Sequence, residues 1–241
     1  MLIHGLGGTS ASIWKHLPGD LAAEFDVVTY DIRGAGGSER VPGPYSLDDF
    51  VADLRGLVEE LGLERPALVG HSFGGSIALA YAARYPGEAA AVVSAGGPVV
   101  LPEAGQQGMR DRAETVEAQG MGAVAETVAT NGMAPSFREA HPDKFREYVH
   151  VLAANDPASY AATCRVIAEM DLTAELPKIE APVLLIAGDR DGVAPPAAQD
   201  ATAAALRDVT RVEVPECGHI LPWEKPETLR DTTLAFLRSR V

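Results

Sequence analysis

Apolar positions along the chain follow two textures. Across residues 1–98 and 179–241, short apolar runs alternate with longer segments whose apolar residues recur at helical spacing. The runs at 2–3, 27–30, 67–69, 89–95, 182–187 and 210–214 predict short strands. Between them, 46–61 places Phe50, Val51, Leu54, Leu57, Val58 and Leu61 on one helical face, with Ser46 or Asp48 as cap and Gly62 as stop. Residues 76–85, 196–206 and 226–239 read as further helices, the first closed by Pro86-Gly87. Strands alternating with helices predict a mostly parallel sheet covered on both faces. In such a sheet, functional groups gather at the carboxyl ends of the strands.

From residue 99 to 178 the texture changes. Strand-like runs vanish, and helices are expected near 109–119, 121–130, 141–153 and 156–170, broken at Gly120, Pro135, Pro142 and Pro157. This predicts one α/β domain, 1–98 and 179–241, carrying a helical insertion, 99–178.

Composition narrows the function classes. At 241 residues the chain can bury one large core. A formal net charge of −14 argues against nucleic acid or an anionic membrane as partner. Two cysteines far apart in sequence, Cys164 and Cys217, imply no disulfide framework and fit a reducing compartment. No apolar run is long enough to span a membrane, and the first residues have neither the charged nor the apolar region of a signal peptide, so cytoplasm is the expected location. Metal-ligand spacings and the phosphate-binding glycine patterns are absent; Gly5-Leu6-Gly7-Gly8 falls short of a dinucleotide fingerprint at Ser10. No cofactor is expected.

The chemistry centres on Gly70-His71-Ser72-Phe73-Gly74. A sharp strand-to-helix turn would bring the glycines on either side of Ser72 close together and lift its hydroxyl out of the sheet. A serine hydroxyl is a weak nucleophile until a base takes its proton, and that base needs a partner to orient it. His219, in the loop after the last strand, is the candidate base. Asp189 and Asp191 are both candidate acids; Asp191 lies farther into the loop and nearer the active edge, whereas Asp189 is placed to cap a turn. The oxyanion donors are expected to be the backbone N–H groups of Phe73 and of Leu6, in the glycine-rich loop after the first strand. His4 is expected to hold that loop by a hydrogen bond. Asp31 and Arg33 read as structural, as do Cys217 and Cys164.

Taken together, these residues resemble the α/β-hydrolase superfamily, and within it the small bacterial esterases, enol-lactonases, cofactor-free haloperoxidases and C–C bond hydrolases. The resemblance rests on His4-Gly5-Leu6-Gly7-Gly8 with Trp14, Asp31-Ile32-Arg33-Gly34-Ala35-Gly36-Gly37-Ser38, Gly70 to Gly75, Gly188-Asp189-Arg190-Asp191, and Gly218-His219 followed by Glu224-Lys225-Pro226-Glu227. It implies an α/β-hydrolase fold and makes 99–178 a helical cap over the substrate pocket, with Met109, Met121, Met133, Phe137, Tyr148 and Tyr160 as candidate lining or packing residues. It also implies a serine hydrolase that cleaves a small carboxylic ester or lactone through an acyl-enzyme. Cleavage of a C–C bond is the alternative within catalysis, and a ligand-binding or signalling protein on the same fold is the rival of another class. Serine at position 72 separates the chain from dehalogenases and epoxide hydrolases, which place aspartate there. Relatives carry about two strands before the His-Gly loop, whereas this sequence begins inside that strand. The N-terminal strands of the usual fold are therefore expected to be absent, leaving 27–30 as an exposed edge open to pairing with another copy.

Overall fold

The short apolar runs pair as strands in a computed structural model that describes all 241 residues. In chain order the elements are β1 (Leu2–Ile3), α1 (Ser10–Ile13), α2 (Pro18–Leu21), β2 (Thr29–Tyr30), α3 (Leu47–Glu60), β3 (Ala67–His71), α4 (Phe73–Arg84) and β4 (Ala91–Ala95). Then follow α5 (Glu103–Gln119), α6 (Ala125–Gly132), α7 (Pro135–Ala140), α8 (Pro142–Ala153) and α9 (Pro157–Glu169). The chain closes with β5 (Val183–Gly188), α10 (Pro196–Ala205), β6 (Val209–Val214), α11 (Leu221–Glu224) and α12 (Pro226–Arg240). No helix is long and apolar enough to cross a membrane.

All six strands are parallel, in the order β2-β1-β3-β4-β5-β6. Alternate residues of each strand feed opposite faces of the sheet. Ile3, Leu68, Val92 and Leu185 pack on one side with Phe50 and Leu54 of α3 and Ile77 and Tyr81 of α4. Leu2, Val69, Val93 and Ile186 pack on the other with Trp14, Leu21 of α2, and Leu229 and Leu237 of α12. Helices on both faces force every central strand to be apolar on both sides, which is why these runs are continuous rather than alternating.

Several boundaries differ from the sequence expectation for physical reasons. β2 keeps only Thr29 and Tyr30 of the expected 27–30, because its ladder to β1 can be no longer than the two residues of β1. It forms an edge of the sheet. Ser46, not Asp48, caps α3: its hydroxyl accepts from Asp49 N and the Asp49 carboxylate accepts from Ser46 N. That helix ends at Glu60, so Leu61 falls beyond the apolar face and is 50% exposed. α4 starts at Phe73 rather than 76, because Ser72 O already accepts from Gly75 N and Ser76 N.

Between β4 and β5 the chain is helical. α5 packs along α9, and α8 receives α6 and α7. α5 begins at Glu103, earlier than 109, with Pro102 supplying the extended residue before it. The two ends of this excursion meet: Val100 and Asp171 form an antiparallel bridge, and Leu172 N donates to Val99 O at 3.0 Å. α9 lies over two core loops. Asn155, just before it, donates its side-chain amide to Gly7 O at 2.8 Å. Thus the helices are tied to the glycine-rich loop after β1 from above.

Candidate active site

β3 delivers the chain to Ser72, where it turns with φ 53° and ψ −127°. A non-glycine residue in such a conformation costs about 1–3 kcal/mol and persists only where its surroundings over-determine it. Here Ser72 N donates to Ala95 O at 2.8 Å, and Phe73 is fully buried edge-on against Phe50, ring centroids 4.9 Å apart. The flanking glycines are required by contact. A Cβ on Gly70 would lie 2.2 Å from Gly74 O, and one on Gly74 would lie 2.1 Å from Ile3 O. The turn aims the Ser72 side chain at the carboxyl edge of the sheet.

Two loops from elsewhere on that edge reach it. His219, after β6, places Nε2 2.8 Å from Ser72 Oγ and Nδ1 2.8 Å from Asp191 Oδ2. Asp191, after β5, accepts from Val193 N at 2.7 Å and Ala194 N at 2.9 Å through its other oxygen. Burial pushes the Asp191 carboxyl up. Its attraction to His219 and the hydrogen bonds from His219, Ala194 and Val193 outweigh this and hold it below the ordinary value. An ionised Asp191 accepts a hydrogen bond from Nδ1–H, so the Nε2 lone pair faces the Ser72 hydroxyl.

Asp189 does not touch the imidazole. Its Oδ1 accepts from Cys217 N at 3.2 Å, so it braces the two loops against each other. The N–H groups of Leu6 and Phe73 have no protein acceptor. The loop holding Leu6 reaches Ser72 because Gly5 has no side chain: a Cβ there would be 2.7 Å from Ser72 Cβ. His4 fixes that loop, with Nδ1 donating to Gly5 O at 2.8 Å and Nε2 accepting from Ile32 N at 3.0 Å. Asp31 accepts from Ser10 N and Gly37 N, and Arg33 makes a two-point ion pair with Asp53. Cys217 and Cys164 are buried and unpaired. Burial pushes both thiols up, away from thiolate formation. No cluster of His, Cys, Asp or Glu has the arrangement of a metal site.

Two residues near the site had no role assigned from sequence. Glu224, at the end of α11, is buried and accepts from Gly218 N (2.9 Å), Ile220 N (3.1 Å) and Ala134 N (2.9 Å). Burial pushes its carboxyl up against the pull of those three donors. It holds both neighbours of His219 and ties that loop to the start of α7. The available signal was an acidic residue five positions after the histidine, within a short Pro-containing helix.

His71, the variable residue before Ser72, bonds through Nε2 to His219 O at 2.9 Å. A carbonyl only accepts, so Nε2 carries the hydrogen, and the buried Nδ1 has no partner. Burial, then the proximity of His219, lowers its pKa from 6.5 to about 3. Between those values the unfolded chain binds one proton more than the folded one, so stability rises with pH across that window by about 1.4 kcal/mol per unit. His4, also shifted down by burial, acts in the same direction. The unfolding temperature should therefore fall as pH drops from 7 to 5, and more steeply in the wild type than in His71→Gln. Equal slopes in the two proteins would show that His71 does not titrate in this way.

A cavity of about 860 Å³ lies beside the site. Pro98 and Leu101 between β4 and α5, Met109 and Arg112 from α5, and Val193 and Gln199 beyond Asp191 form part of its wall; Ser72 does not.

Comparison with known proteins adds three observations. A family model described as the alpha/beta hydrolase fold matches residues 1–226. A 3-oxoadipate enol-lactonase 2 of Acinetobacter baylyi is 31% identical over 231 residues, covering 96% of this chain and 85% of that protein. Among solved structures, the enol-lactonase of Burkholderia xenovorans superposes with a TM-score of 0.93 at 29% identity, covering 98% of this chain and 90% of the other. A thermophilic esterase of Thermogutta terrifontis, with malate bound, gives 0.92 at 29% identity, covering 99% and 88%.

Proposed function

The chain belongs to the α/β-hydrolase fold family and is a hydrolase of that family; from that premise we propose that it cleaves a carboxylic ester or lactone through a serine acyl-enzyme. The observation that carries this reading is the unbroken relay from Ser72 Oγ to His219 to Asp191, both links 2.8 Å long. In the proposed reaction Ser72 Oγ attacks the substrate carbonyl while His219 Nε2 takes its proton. Asp191 stabilises the imidazolium that forms. The tetrahedral oxyanion accepts hydrogen bonds from Leu6 N and Phe73 N. His219 then protonates the departing alkoxide or enolate oxygen, leaving the acyl group on Ser72. Water, deprotonated by the same imidazole, attacks the acyl ester and regenerates the serine. Residues 99–178 act as the cap over this centre, and 1–98 with 179–241 supply the chemistry.

The esterase and enol-lactonase likenesses support an ester or lactone over a C–C bond, for which the same relay would serve. The test is covalent. Rapid mixing with 4-nitrophenyl acetate, quenching in acid and peptide mass analysis should find one acetyl group on the peptide carrying Ser72, preceded by a burst of nitrophenol. Steady release of nitrophenol with no acyl adduct would overturn the mechanism. Label on Ser72 without continued turnover would instead favour a binding protein on this fold.

A further inference from the structure

We propose that Arg112 is an anchor for a carboxylate carried by the substrate, so that the esters or lactones taken by this site are anionic at a position remote from the scissile bond. The proposal rests on the serine-hydrolase reading above. Arg112 sits on α5 with its side chain in the wall of the 860 Å³ cavity. Much of the rest of that wall is apolar, including Val99, Leu101, Leu176, Val193 and Pro195. The other half-buried arginines are held by carboxylate, amide or carbonyl acceptors, whereas Arg112 has the Tyr160 hydroxyl and no counter-charge. Arg33, Arg55, Arg84, Arg165, Arg211 and Arg230 pair with carboxylates. Arg110 reaches Gln107, and Arg138 reaches Met133 O. Arg112 faces no carboxylate, and the residues one helical turn away on α5 are Gly108, Met109, Thr115 and Val116, so none can supply one.

Two neighbours connect it to the site. On one side it acts on the buried Tyr160 through its charge and a hydrogen bond to the hydroxyl, and the Tyr160 ring edge lies 3.3 Å from where a Cβ on Gly7 would be, next to Leu6. On the other it shares the cavity wall with Asn131. The next residue, Gly132, accepts His219 N through its carbonyl at 2.7 Å. Arg112 therefore neighbours one residue packed on the Gly7 loop and one adjoining the residue bonded to His219 N. A guanidinium held half out of water without a counter-charge is costly, and an incoming carboxylate offsets that cost with paired, charge-assisted hydrogen bonds. In a chain of net charge −14, a local cation is also what allows an anion to approach.

The test compares 4-nitrophenyl monoesters of succinate, glutarate and adipate with the same compounds methylated at the far carboxyl. The wild type should show a lower KM for at least one monoester than for its methylated partner. Arg112→Met should raise that KM about ten- to hundredfold, leaving kcat and the methylated ester within about twofold, and Arg112→Lys should restore part of the loss. An equal change for both members of each pair, or no change, would overturn the proposal. Turnover of neither ester by the wild type would overturn the hydrolase reading instead. A second arm then decides for Arg112: calorimetric titration of glutarate and adipate into wild type and Arg112→Met. Weaker binding to the variant by a similar factor supports the anchor, and equal affinity removes it.

Discussion

Ser72→Ala should lower kcat/KM for an activated ester by about a millionfold while the protein remains folded. The size follows from the relay acting as a unit. Without the oxygen there is no nucleophile for His219 to deprotonate, and what remains is the oxyanion pocket and binding. The fold should survive because the Ser72 side chain makes one hydrogen bond, to His219 Nε2, while the turn itself is held by backbone bonds and by the buried Phe73 ring. Steady-state kinetics on 4-nitrophenyl acetate, with a thermal melt beside them, check both halves. Activity within tenfold of wild type in a folded variant would remove Ser72 from the mechanism.

Asp191→Asn should cost about ten-thousandfold in kcat, whereas Asp189→Asn should stay within about tenfold. An amide at 191 no longer supplies a charge to the imidazolium. It can also present its N–H₂ to Nδ1, which turns the ring's proton toward Ser72 and removes the base. At 189 the demand is different. The carboxylate accepts one backbone N–H, from Cys217, and an amide oxygen can do the same. The pair of variants therefore tests the expected choice of Asp191 over Asp189 as the acid. A large loss at 189 with a small one at 191 would reverse their assignments.

What sequence made legible was whatever leaves a mark on side-chain pattern. The fully buried strands announced themselves as apolar runs, and the alternation of those runs with helices implied the parallel sheet. The order of Ser72, Asp191 and His219, each after a strand, placed all three on one edge before any coordinates. The start of α4 was hidden because Gly74 and Gly75 are poor helix formers. They are tolerated in the first turn because Ile3, Gly97 and Ser94 press against them and leave no room for a Cβ. In 99–178 the spacing predicts four helices, whereas five form, partly displaced. Their boundaries depend on prolines that start helices here (Pro135, Pro142 and Pro157 are each the first helical residue), and a proline reads equally well as a break. Glu224 and His71 were missed because each acts on backbone atoms of residues distant in sequence or around a tight loop, and such bonds carry no periodicity. Arg112 was invisible for a related reason. What distinguishes it is the absence of a counter-charge, which can be seen only once its neighbours are in place.

The meeting of Val99 and Val100 with Asp171 and Leu172 has a consequence for chain entropy. The helical excursion leaves the sheet and returns to it at one hydrogen-bonded point, so its length does not set the spacing between β4 and β5. Closing a loop costs only about 0.6 kcal/mol for each doubling of its length. Growing this detour from roughly ten residues to its present extent, three doublings, therefore costs about 2 kcal/mol, a sum that the packing of α5 on α9 can offset by itself. Helices can therefore be lengthened or added beyond that point without changing the register of β4 and β5. That freedom ends at Gly132, Ala134 and Asn155, whose bonds to His219 N, Glu224 and Gly7 O make the excursion part of what holds the loops around Ser72 and His219.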